Sequence, residues 1–136
     1  MKRAAAISSW IVRVCGAVQL VLGALIWFAP ARNYVPLHML SGTLFVLALL
    51  MLAVLGLRAA VPWPFGVFTI LWTLALPAFG VRHASILIGP SHWIIRVTHL
   101  LMGMIAIGLG QRLAKQILQR AKAGVELAGA ATSRAR

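Results

Sequence analysis

Acidic side chains are almost absent from this sequence. Glu126 is the only carboxylate side chain among 136 residues, and it stands near the C-terminus. With no Asp and a single Glu, the sequence provides neither a Ser-His-Asp triad nor a pair of carboxylates for hydrolysis. The sequence therefore excludes a hydrolytic enzyme and weighs against any self-contained enzyme.

Charge of either sign and cysteine are scarce as well. Charged residues make up 10% of the chain, against about 25% in a typical soluble domain. The single cysteine, Cys15, excludes an intramolecular disulfide and is predicted to be a packing residue. Hydrophobic residues make up 62% and fall in long runs. Such runs predict an integral membrane protein whose first partner is the lipid bilayer.

The apolar runs predict an all-α fold. They cover residues 8–29, 36–57, 63–81 and 90–111. Each is long enough to cross a bilayer, which takes about 20 residues, and the short linkers predict an up-down four-helix bundle. We expect helix four to continue to about Ala123, which gives a transmembrane domain over 1–123 and a flexible tail over 124–136. Run one together with Ala29-Pro30-Ala31 is similar to a cleavable secretory signal and its cleavage site. Because Arg13 and Gln19 interrupt the apolar run, we expect that it is retained as a helix.

Basic residues predict the orientation. The chain carries a formal net charge of +12, but the basic residues stand at the ends of apolar runs, and this distribution weighs against nucleic-acid binding. One side of the bundle has Lys2, Arg3, Arg13, Arg58, Arg112, Lys115, Arg120 and Lys122, and the other has Arg32, Arg82 and Arg96. The positive-inside rule then predicts that both termini are cytoplasmic, most simply in a bacterial inner membrane.

The two halves show a weak internal repeat. An offset of 54 residues places Pro36-Leu37-His38 on Pro90-Ser91-His92. This similarity suggests two tandem helical hairpins, with His38 and His92 both near the outer boundary. His99 should lie two turns deeper, roughly 10 Å at the rise of an α-helix.

Small and polar residues form one stripe on each helix. In lipid such a stripe faces the neighbouring helices, because small residues allow close approach. The stripe residues expected inside the bundle are Gly16, Gln19, Gly23, Gly42, Gly56, Thr69, Thr73, Gly103 and Gly110. His92, Arg96 and His99 share the face of Gly103 and should also point inward.

A histidine followed four residues later by a glycine occurs on two helices. The motifs are His38-Met-Leu-Ser-Gly42 and His99-Leu-Leu-Met-Gly103. Two imidazoles can hold a haem iron from opposite sides, and a glycine one turn away leaves room for the ring edge. Arginines on the outer side, Arg32, Arg82 and Arg96, suit the propionates.

With these motifs the chain resembles the small four-helix transmembrane b-type cytochromes over roughly residues 8–118. The resemblance implies one haem b near the outer side, held by His38 and His99, with His92 as the alternative ligand, and a role in electron transfer. The same residues allow other interpretations. His38 and His92 could be interfacial, His99 could bond to Gln19 or a helix carbonyl, and Arg96 could extend outward to the interface. The alternatives are a cofactor-free accessory subunit of a larger membrane complex and a quinone-binding protein that uses His99 and Arg96. Assembly into a homo-oligomer is also open.

Overall fold

The computed structural model describes residues 1–29 and 32–134, and in the last turns of the chain the side chains at 127–129, 131–132 and 134 are outside this description. Four α-helices account for most of this part of the chain: α1 (Lys2–Phe28), α2 (Val35–Arg58), α3 (Trp63–Arg82) and α4 (His92–Arg134). Two short 3-10 helices, Arg32–Tyr34 and His83–Ser85, lie before α2 and after α3. Pro30 and Ala31 of the signal-like motif lie outside the described residues.

The helix boundaries follow from local chemistry. Pro36 and Pro64 stand in the first turns of α2 and α3, where a missing backbone N–H costs no helical hydrogen bond. The turn between α2 and α3 contains Ala60 with a φ of 55°. The helices α1 and α4 are longer than their apolar runs, because their polar ends are also helical. In particular, α4 passes residue 123 without a break, so residues 124–134, expected to be a flexible tail, are helical here.

All four helices are long and apolar enough to cross a membrane. Successive helices contact one another, and α4 also contacts α1 and α2. Within the described residues α1 and α3 make no such contact. The bundle is therefore closed across the α2–α4 diagonal, and the helices that carry His38 and His99 face each other directly.

The predicted stripes do face the bundle interior. Gly16, Gly56, Thr69, Thr73 and Gly110 are buried, and the other four stripe residues are half-buried. Close approach explains the glycines between α1 and α4. A Cβ on Gly16 would lie 2.9 Å from Ile107 Cγ1, and one on Gly110 would lie 2.9 Å from Val12 Cγ1. Each helix therefore provides a glycine for a branched side chain of the other.

Packing is uneven along the bundle. We call the end with residues 1–13, 56–63 and 110–122 the basic end, and the end with residues 32–41 and 79–99 the histidine end. The continuous apolar core lies in the middle and at the basic end, with Val12, Leu49, Leu52, Leu113 and Ile117 fully buried. Leu22 and Ile95, nearer the histidine end, are buried apart from that core. The four histidines at the histidine end are half-buried.

Candidate functional site at the histidine end

All four histidines of the sequence meet at the histidine end. The ring centres of His38 and His99 are 6.4 Å apart, with 50° between the ring planes. His83 lies on the other side of His99, with ring centres 5.4 Å apart, and His92 lies 6.2 Å from His83. The four imidazoles thus form a row in the order 38, 99, 83, 92, contributed by α2, α4 and the 3-10 helix after α3.

His38 is positioned by a polar contact from α1. The side-chain amide Nε2 of Gln19 donates to the backbone oxygen of His38 over 2.8 Å. Ser41 Oγ donates to the backbone oxygens of Leu37 and His38. The histidine side chain itself is not used in these bonds. Its ring lies beside Gly23, where a Cβ would be 3.7 Å from His38 Cε1.

His99 lies against the end of α3. A Cβ on Gly80 would stand 3.1 Å from His99 Cε1, so the glycine makes room for the ring. The Phe79 ring is 6.0 Å from the His99 ring and nearly parallel to it, with 15° between the planes. These neighbours fix the ring without forming a hydrogen bond to it.

The two inner histidines have unsatisfied nitrogens. Within the described residues neither His38 Nδ1 nor His99 Nδ1 has a hydrogen-bond partner, although both atoms are buried. A buried polar atom without a partner costs roughly 1–3 kcal/mol. The alternative bond of His99 to Gln19 or to a helix carbonyl is thus not made by its Nδ1 within the described residues. Two such atoms on facing rings favour a ligand between or beside them.

The two outer histidines, in contrast, fix the linker. His83 Nδ1 is 2.5 Å from the backbone oxygen of Gly80, and His92 Nδ1 is 3.2 Å from that of Ile86. As donors to these oxygens, the two rings hold the linker over residues 83–92 against the bundle. His92 faces His83 and not His38, so the geometry favours His99 over His92 as the partner of His38.

The remaining predicted site residues are arranged less as expected. A Cβ on Gly42 would overlap the Gln19 amide, so the space beside this glycine is already filled, whereas nothing lies within 4 Å of the corresponding position at Gly103. Arg32, Arg82 and Arg96 are exposed. For Arg96, this exposure favours the interpretation in which the side chain extends to the membrane boundary.

Sequence reasoning gave no role to three residues of this site, Phe79, Gly80 and His83. His83 lies between the third and fourth apolar runs, outside every predicted helical stripe. A usable signal was present, because positions 73, 80 and 83 follow one another at helical spacing, with Thr73 buried and Gly80 and His83 half-buried. Extending that stripe by one step places His83 beside the other histidines.

The distance between His38 and His99 can be compared with that between two imidazoles bound to one metal ion. A transition metal binds an imidazole nitrogen at about 2 Å and a ring nitrogen lies roughly 1.1 Å from its ring centre, so two trans imidazoles have centres about 6 Å apart. The observed 6.4 Å between His38 and His99 agrees with this spacing. No group of three or more His, Cys, Asp or Glu side chains suited to a metal ion occurs in residues 1–29 and 32–134.

Comparisons with known proteins add no relative to this geometry. No protein-family model, no curated protein and no solved structure matches the chain.

Proposed function

We propose that this protein is an integral membrane protein that binds one haem b between α2 and α4, with His38 and His99 as axial ligands, and that it takes part in electron transfer. The proposal includes a bacterial cytoplasmic membrane and cytoplasmic termini. The observation that carries it is the facing pair of half-buried imidazoles, 6.4 Å apart, each with an unpartnered buried nitrogen.

The packing of the bundle supports a ligand at this end. The apolar core is filled around Leu49 and Leu113, while the space at Gly103 is open. A cofactor bound between His38 and His99 would lie where α2 and α4 approach across the diagonal. When bound, haem b supplies one-electron redox chemistry, with a potential set by its ligands and surroundings.

Different residues of the chain would ligate the haem and position its ligands. His38 and His99 would provide the ligating nitrogens, and Gly80 and Phe79 would fix the orientation of the His99 ring. Gln19 would hold the backbone at His38. The exposed Arg32 and Arg96, at the same end, would pair with propionates at the membrane boundary.

The direct test is the haem content of purified protein, measured as the pyridine haemochrome. We expect one haem per chain in the wild type, and loss of haem in His38→Ala and in His99→Ala. His92→Ala is the matched control, because it removes an imidazole from the same row but not from the facing pair. Retained folding is checked by circular dichroism.

Two results would overturn the proposal. One is a colourless wild-type protein after expression with sufficient haem; the other is full haem content in His99→Ala. If a colourless preparation contains extracted quinone that His99→Ala lacks, the quinone-binding alternative replaces the haem. If neither haem nor quinone is present and the chain copurifies with a larger membrane complex, the accessory-subunit alternative replaces the haem proposal.

A further inference from the structure

A cavity of about 310 Å³ lies at the basic end, opposite to the histidines. It is formed where α2 ends and where α4 leaves its apolar stretch. Its lining residues are Met1, Arg58, Ala59, Ala60, Ile117, Arg120 and Ala121. Two guanidinium groups thus border a cavity whose other walls are small or apolar.

Arg120 is fixed at this cavity by the turn after α2. Its Nη1 donates to the backbone oxygens of Ala59 and Ala60. A guanidinium has five N–H donors in a planar fork, so the side chain keeps donors available after these bonds. The turn therefore orients a cation that has capacity for an anion.

No Asp or Glu is among the residues that line this cavity in the described part of the chain. Glu126 is the only carboxylate side chain in the sequence, and its Oε1 lies 3.8 Å from Lys122 Nζ. Arg58 is exposed and carries its charge beside Arg120 without a carboxylate to compensate it. Two neighbouring like charges favour an external anion between them.

The position of the cavity indicates which anion it would meet. Arg58 is the last residue of α2, a helix of mean hydropathy 2.5 over its most apolar window. The end of such a segment lies at the level of the phosphate groups when the helix crosses a bilayer. Basic cavities between helices on the cytoplasmic side recognise anionic lipid headgroups, and the apolar Ile117 and Ala121 suit the glycerol and upper acyl carbons.

We propose that Arg58 and Arg120 bind the phosphate of an anionic phospholipid in this cavity. The guanidinium forks match phosphate oxygens in a bidentate manner. This inference depends on the membrane location in the proposed function but not on haem, since the two sites lie at opposite ends of the bundle.

The experiment measures lipid binding to the detergent-solubilised protein by native mass spectrometry. The probes are phosphatidylglycerol, phosphatidylcholine with the same acyl chains, and inorganic phosphate. We expect bound phosphatidylglycerol to exceed phosphatidylcholine. Arg58→Gln should weaken phosphatidylglycerol binding about five-fold, the effect of about one basic residue near a lipid surface.

The matched control is Lys122→Gln, which removes one positive charge at the same end but outside the cavity. It should leave phosphatidylglycerol binding unchanged. Arg120→Gln should weaken binding as well, but it also removes the bonds to the turn, so Arg58→Gln is the decisive variant. Arg58→Lys should recover only part of the affinity because lysine lacks the fork.

Three results would overturn the inference. Equal binding of the two lipids excludes recognition of an anionic headgroup. Equal weakening by Lys122→Gln and Arg58→Gln indicates a diffuse basic surface. If inorganic phosphate displaces phosphatidylglycerol completely at equal concentration, the cavity is a site for free phosphate. The haem content of each variant is measured in parallel, so a failure here is separate from a failure at the histidine end.

Discussion

Gln19 connects two helices, α1 and α2, at the histidine end through a single side chain. It extends from α1, donates to the backbone of α2 at His38, and fills the space beside Gly42. In an apolar environment such a bond holds helices together, although its measured contribution averages only about 0.6 kcal/mol. Gln19 is therefore a positioning residue for His38 more than a source of stability.

A test of this role uses Gly42→Ala. The new methyl group would displace the Gln19 amide and break its bond to His38, so we expect a loss of roughly 1–2 kcal/mol in the free energy of unfolding. The measurement is unfolding by SDS titration in mixed micelles. Gly108→Ala is the control: this glycine is exposed on α4, and with nothing within 4 Å of its Cβ position the substitution should be neutral or stabilising by up to about 1 kcal/mol.

The coupling can be isolated in a double mutant. In a Gln19→Ala background the space beside Gly42 is empty, so Gly42→Ala should no longer destabilise the protein. If the two substitutions add independently, the contact between Gln19 and Gly42 has no energetic role.

Prediction from sequence succeeded at this scale where periodicity specifies a face. Thr69, Thr73 and Gly110 are buried as their spacing indicated. It failed for His83, because residues in a linker have no period, and their position depends on how the chain returns to the bundle. It failed also for Gly42. The predicted helical face was correct, but the space beside this glycine is filled by Gln19 from another helix.

At the scale of elements, the four helices could be predicted because hydropathy and helix length carry the same signal in a membrane span. The positions at which the helices end could not be predicted, because a polar segment of the same composition can be helical or irregular. α4 shows the difference most clearly. Its buried residues Leu113, Ala114 and Ile117 pack in the core beyond the apolar run, whereas residues 122–126 are exposed.

This distribution predicts the effect of shortening α4. A chain ending at Ala123 should unfold at the same SDS fraction as the full chain, because no buried side chain has been identified in the part removed. A chain ending at Gln111 loses Leu113 and Ile117 and should be less stable by roughly 3–6 kcal/mol, about 1.5–3 kcal/mol for each buried side chain. If the chain ending at Gln111 is as stable as the full chain, the part of α4 after residue 111 contributes nothing to the core.

At the scale of the whole molecule, the charge distribution predicts the topology. The basic end carries Arg13, Arg58 and Arg112 among others, so it should face the cytoplasm. In a Cys15→Ala background, a membrane-impermeant maleimide applied to intact cells should label Ser91→Cys. Gly124→Cys should react only after the cells are opened. Labelling of Gly124→Cys in intact cells would reverse the orientation, and with it the side on which the histidines lie.

The uninterrupted length of α4 has a mechanical consequence. Its 43 residues form a rod about 64 Å long at the rise of an α-helix. The rod carries His99 near one end, and Ile117 is its last buried residue among the side chains that the structure describes. From Ile117 the helix extends for about 25 Å to Arg134. A rotation of about 10° around Ile117 would move that far end by about 4 Å. A change in the tilt of α4 beside His99 would therefore move the C-terminal end of the same helix at the opposite end of the bundle. No loop separates the two positions.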